Sequence, residues 1–78
     1  MKNIQVIEER CLPSGEYETL ERTVAFNVGD ISFIEDCPKI TMIESKIDRC
    51  KIAMRSGQEF YVYWDKKALE QHLGLKVE

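Results

Sequence analysis

Apolar residues recur along the first two thirds of the chain with a period of two, the signature of half-buried strands. Residues 3–11 place Ile4 and Val6 on one face; Ile4, Ile7 and Cys11 would also fit a weak helical turn. The Pro13-Ser14-Gly15 cluster that follows reads as a hairpin connection and favours the strand. Residues 17–26 alternate with Leu20, Val24 and Phe26 on one side, where Arg22 is the exception. Asn27-Val28-Gly29-Asp30 marks a turn before a strand at Ile31–Glu35. Pro38 lacks an amide donor and belongs at a strand start or edge. Past it, Ile40, Met42 and Glu44 oppose Thr41 and Ile43 as in a half-buried strand, with a polar connection at 45–48.

Cys50, Ile52 and Met54 alternate with Lys51, Ala53 and Arg55 ahead of a further hairpin. A two-residue loop, Ser56-Gly57, would put Phe60 and Val62 on the face opposite Ile52 and Met54. A three-residue loop at 56–58 pairs Met54 with Phe60, Ile52 with Val62 and Cys50 with Trp64. Because one residue of slip turns a whole strand over, the apolar match selects the three-residue loop. It leaves Gln58, not Gly57, in the last and usually left-handed loop position. The chain closes with a helix capped by Asp65, carrying an Ala68, Leu69, His72 and Leu73 stripe and ending at Gly74. At two turns it needs tertiary support.

These elements predict one α+β domain over 1–78: a small antiparallel meander of five or six strands with one short C-terminal helix. The expected core is Val24, Phe26, Ile31, Phe33, Ile40, Met42, Ile52, Met54, Phe60, Val62, Leu69 and Leu73. A chain of 9.1 kDa should fold to ~4,900 Å² of surface and bury roughly 63% of what it exposes unfolded, which leaves little room for an elaborate cleft.

Net charge is −3, against generic phosphate-driven binding. The charge is uneven: residues 1–48 hold ten acids and five bases, residues 49–78 four acids and six bases. Two faces follow. Glu16, Glu18, Glu21, Glu35 and Asp36 offer an acidic surface for a basic groove on a partner. Arg49, Lys51, Arg55, Tyr61 and Tyr63 offer a basic and aromatic surface for nucleic acid or protein. Solvated strand faces are the ordinary alternative for both sets.

No catalytic constellation stands out, since His72 sits on the helix stripe and no spacing singles out a carboxylate pair. Cys11, Cys37 and Cys50 are odd in number and too widely spaced for a complete disulfide framework or an ordinary zinc site, so they read as small buried or half-buried apolar residues in a reducing compartment, with room for one of them to be exposed and reactive. No cofactor or metal is expected. Without a signal-like or membrane-length apolar run, the expected location is the cytoplasm.

Asn27-Val28-Gly29-Asp30-Ile31-Ser32-Phe33-Ile34-Glu35, then Pro38, then Ile52-x-Met54-x-x-Gly57-x-x-Phe60-x-Val62 resembles the small FlbD-like (SwrD) flagellar-associated family. The Ile31-x-x-Ile34-Glu35 segment is also similar, more distantly, to the LytTR DNA-binding domain. The likeness spans residues 27–62 and departs in the additional hairpin at 1–26 and in a longer connection between Pro38 and Ile52. It implies a small bacterial β-rich regulatory module and assigns no functional residue. The function expected is that of a non-enzymatic bacterial or phage regulatory or adaptor protein that binds another macromolecule, a protein foremost. A nucleic-acid-binding regulator is the first alternative, and a small ligand-binding protein or enzyme the second. An exposed edge strand at this size also fits a homodimer.

Overall fold

The structure is a computed structural model that describes residues 1–40 and 42–75. Among these, strands run at β1 (Lys2–Cys11), β2 (Tyr17–Phe26), β3 (Ile31–Asp36), β4 (Lys39–Ile40), β5 (Lys46–Ile47), β6 (Cys50–Met54) and β7 (Glu59–Val62), followed by helix α1 (Lys66–Leu73). Five of them form an antiparallel sheet in the order β2-β1-β7-β6-β3, and β4 with β5 makes a separate two-stranded ribbon. The expected α+β sheet with its terminal helix is therefore present.

The two hairpins of the main sheet share one turn. In the first, Leu12 faces Glu16 across Pro13-Ser14-Gly15: Leu12 N–H donates to Glu16 O at 2.7 Å and Gly15 N–H to Leu12 O at 2.9 Å. In the second, Met54 N–H donates to Gln58 O at 2.8 Å and Gly57 N–H to Met54 O at 2.9 Å, so the loop is Arg55-Ser56-Gly57. Each loop is a type I turn closed by a left-handed residue, Gly15 at φ 87° and Gly57 at φ 93°. The expected three-residue length is correct, but its placement at 56–58 is not. Ile52 pairs with Phe60 and Cys50 with Val62, two positions from the expected register. A shift of two keeps every side chain on its face, so apolar matching could not separate the alternatives; the left-handed glycine does.

Between β2 and β3, Asn27 Oδ1 accepts from Gly29 N–H at 3.2 Å and caps a single 3₁₀ turn, Val28–Asp30. This short link joins opposite edges of the sheet. Five flat strands would hold those edges ~19 Å apart, whereas five residues reach at most ~17 Å extended and less through a 3₁₀ turn. The sheet must curl, and it does: Phe26 at the end of β2 lies edge-on against Phe60 of β7, ring centres 5.2 Å apart. Inside the curl sit Ile4, Val6, Phe26, Cys50, Ile52 and Val62, with Leu69 and Leu73 of α1 completing the cluster. Asp65 Oδ2 caps α1 by accepting from Ala68 N–H at 3.2 Å, and Gly74 ends it in the left-handed region.

Three expected core residues are outside it. Phe33 is 50% exposed, Ile40 64%, and Met42 fully exposed. Phe33 pairs with Ala53 and so shares the outer sheet face. Ile40 and Met42 fail for another reason: instead of one strand over 40–44, the chain turns at 42–44 and returns as β5 at Lys46–Ile47, inside the expected connection. Thr41, expected on that strand, lies outside the described residues. Conversely, Ile4 and Val6 are central because β1 is an interior strand, flanked by β2 and β7.

The distal part of the β1–β2 hairpin extends past this core, its residues Glu8–Cys11 all exposed. The molecule measures 41 × 26 × 19 Å with a radius of gyration of 13.6 Å, where a compact chain of this length would give ~11.5 Å. Its 5751 Å² of surface likewise exceeds the expected area.

Candidate interaction surfaces

The basic and aromatic residues only partly assemble. Lys51 and Tyr61 are cross-strand partners on the outer sheet face, and the Arg49 guanidinium lies 5.1 Å from the centre of the Tyr61 ring. Tyr61 and Tyr63 line, with Arg49, an open groove of about 430 Å³ between β1 and β7. Arg55 is elsewhere, in the β6–β7 turn, and lines a separate groove with Val24, Phe26 and Phe60.

Each gathered cation already has partners. Lys51 Nζ sits 3.2 Å from Glu59 and 3.3 Å from Glu35, bridging β7 to β3 across β6. The hydrogen bonds that Lys51 donates to these two carboxylates, Glu59 foremost, raise its pKa. Arg49 Nε donates to Cys37 O at 2.8 Å, which directs its guanidinium along the sheet. Of the other cations lining the groove, Arg10 binds Glu18 and Arg22 binds Glu8, each at 2.7 Å. A phosphate arriving here would compete with carboxylates already in place.

The acidic residues form no single patch. Glu16, Glu18 and Glu21 belong to the β1–β2 hairpin, whereas Glu35 and Asp36 belong to β3 on the opposite sheet edge. Alternation along each strand puts Glu18 and Glu21 on different faces, and likewise Glu35 and Asp36. Glu18 and Glu35 are moreover ion-paired. Sequence proximity grouped these residues; strand order separates them.

The three cysteines are free and differ in setting. Cys50 is buried and its Sγ donates to Trp64 O at 3.2 Å. Burial first, then the charges of Asp36 and Asp65, raise its pKa to about 11, so it stays a neutral thiol. Cys37 is half-buried beside Arg49, and Cys11 is exposed, the one of the three outside the buried or half-buried setting expected for them.

A surface the sequence reading did not single out lies at the β4–β5 turn. Ile40 pairs with Lys46 around residues 42–44, and Glu44 takes the left-handed conformation at φ 61°. The loop therefore repeats the spacing of the other two, with its left-handed residue third. Its composition is opposite. Where they carry Pro13-Ser14-Gly15 and Arg55-Ser56-Gly57, this one carries Met42-Ile43-Glu44. Met42 is fully exposed, Ile43 83% exposed, and Ile40 and Ile47 flank them with more exposed apolar surface. An adjacent Met-Ile pair between Pro38 and Ser45 was the available signal, since it breaks strict alternation.

No helix among the described residues is long and apolar enough to cross a membrane. No protein-family model, curated protein or solved structure matches this chain.

Proposed function

We propose that this chain is a non-enzymatic regulatory or adaptor module that acts by binding another protein through the β4–β5 turn. The observation that carries the reading is the composition of that turn. A left-handed glutamate costs about 1–2 kcal/mol that glycine would not, and two large side chains face solvent at positions that favour polar turn residues. Local rules kept at two equivalent loops and broken together at a third mark a site retained for use rather than for folding. A contiguous apolar tip is the usual anchor of a protein interface.

Support also comes from the paired state of the basic groove, which weakens the nucleic-acid alternative. Self-association through a free strand edge belongs to the same proposal of protein contact. The test is affinity capture with the paired substitution Met42→Asp and Ile43→Asp. Both side chains are exposed, so stability should change by no more than about 0.5 kcal/mol, while the captured partner is lost. Equal capture by the variant, or no partner for the parent chain, overturns the reading. Salt-sensitive retention of RNA or DNA that weakens with Lys51→Glu and Arg55→Glu would instead establish the nucleic-acid alternative.

A further inference from the structure

β2 is an edge strand whose outer side no strand covers among the described residues. Edge strands of soluble proteins are normally blunted by proline, lysine, bulges or brevity. β2 runs ten residues, Tyr-Glu-Thr-Leu-Glu-Arg-Thr-Val-Ala-Phe, without proline, lysine or a bulge and in unbroken register with β1; the charges it does carry, Glu18, Glu21 and Arg22, are of mixed sign and would repel a second strand only where like meets like. The other sheet edge, β3, is shorter and has α1 packed against it.

We infer that β2 is the self-association edge of this protein and pairs antiparallel with β2 of a second copy about a two-fold axis at Leu20. The charge pattern selects both the partner and the register. A two-fold axis normal to the sheet joins residues of the same face, so it must pass through a residue position. An axis at Glu21 or Arg22 sets that charge against itself. An axis at Thr19 places Glu18 opposite Leu20, and one at Thr23 places Arg22 opposite Val24. Within β2 itself, only the axis at Leu20 matches charges, with Glu18 opposite Arg22 of the second copy and the reverse pair beyond the axis; the axis at Thr19 matches Arg22 only to Glu16, outside the strand.

The neighbouring strand continues the match. Arg10 of β1 already holds Glu18, and Arg22 holds Glu8. Across the dimer these become an alternating row on one face: Arg10, Glu18, then Arg22 and Glu8 of the second copy. Leu20, 37% exposed, meets its own copy at the axis. On the other face Thr19 meets Glu21, and Tyr17, 76% exposed, meets Thr23. The backbone donors and acceptors along Tyr17–Thr23 gain partners, and two five-stranded sheets become one of ten strands.

This inference deepens the proposed protein-binding role, but the surfaces are separate. Loss of the dimer by Leu20→Lys would leave capture through Met42 and Ile43 intact, so the two can fail independently. The experiment is sedimentation equilibrium over about 10 to 500 μM, the range suited to a small interface. The parent chain should approach twice its 9.1 kDa mass, and Leu20→Lys should remain monomeric with an unchanged circular-dichroism spectrum. A monomeric parent chain, or a Leu20→Lys dimer, overturns the inference. Register is read separately in a Cys11→Ser background. A mixture of Tyr17→Cys and Thr23→Cys chains should form the mixed disulfide on mild oxidation, and Tyr17→Cys alone should not, because its two copies would lie six residues, ~20 Å, apart. Self-linking of Tyr17→Cys, or no mixed product, overturns the register.

Discussion

Cys50 shows how one side chain takes its chemistry from where it is buried. It lies in the core, donates to a backbone carbonyl, and has its pKa raised to about 11 from a reference of 9.0. A raised thiol pKa means the fold favours the protonated form. Its contribution to stability is complete below about pH 9 and declines as pH rises through 11. The melting temperature should therefore fall more steeply between pH 9 and 11 in the parent chain than in Cys50→Val, a comparison in which every other group is shared. Equal slopes would deny the linkage. At pH 8, iodoacetamide should modify Cys11 well before Cys50, as peptide mass mapping would show. Three cysteine positions looked alike in the sequence because spacing carries no information about depth.

The three short loops form a series at the scale of elements. Gly15, Glu44 and Gly57 all adopt positive φ, and a Cβ added at Gly57 meets no atom within 4 Å. The backbone alone should thus set the cost of Gly57→Ala, about 1–2 kcal/mol by urea denaturation. Glu44→Gly should recover about 1–2 kcal/mol by the same argument in reverse. Gln58→Gly should gain nothing, because Gln58 is the strand partner of Met54. A stabilising Gln58→Gly would restore the loop at 56–58. The strands and face parity of β1, β2, β6 and β7, the helix and both its caps were legible, because each depends on neighbours within a few residues; the bulge in β3 that turns Phe33 outward and the short β4–β5 ribbon were not. Register to within two positions was not, since alternation repeats every second residue. The β4–β5 turn was hidden because apolar residues were taken to mean burial, and here they occupy a tip.

For the whole molecule, the decisive event is closure of the sheet. The link from Phe26 to Ile31 is too short to cross a flat sheet, so β2 folds over the β6–β7 hairpin with Phe26 against Phe60. Phe26→Ala removes the residue that seals that crossing and should cost about 3–5 kcal/mol by urea denaturation. Tyr17→Ser, at the exposed distal end of the same strand, should cost less than about 0.5 kcal/mol at concentrations where the chain is monomeric. Similar losses at both positions would mean that β2 contributes as a uniform ribbon rather than through its folded-over end. The same closure accounts for the elongated outline: the curl satisfies the inner half of the hairpin, and the remainder projects with its edge free.

The sequence by itself determined an α+β chain of alternating strands, the hairpin at Pro13-Ser14-Gly15, the capped helix from Asp65 to Gly74, and the split between apolar and polar faces in β1, β2, β6 and β7. These follow from side-chain period, φ restriction and capping, all of which act over a few residues. Tertiary structure alone decided which strands neighbour one another. It thereby divided the expected acidic face between opposite edges, tied Lys51 between Glu35 and Glu59, and left β2 open. The physical reason is that sheet order arises from closing loops between residues distant in the chain, and a run of alternating residues is compatible with many such closures.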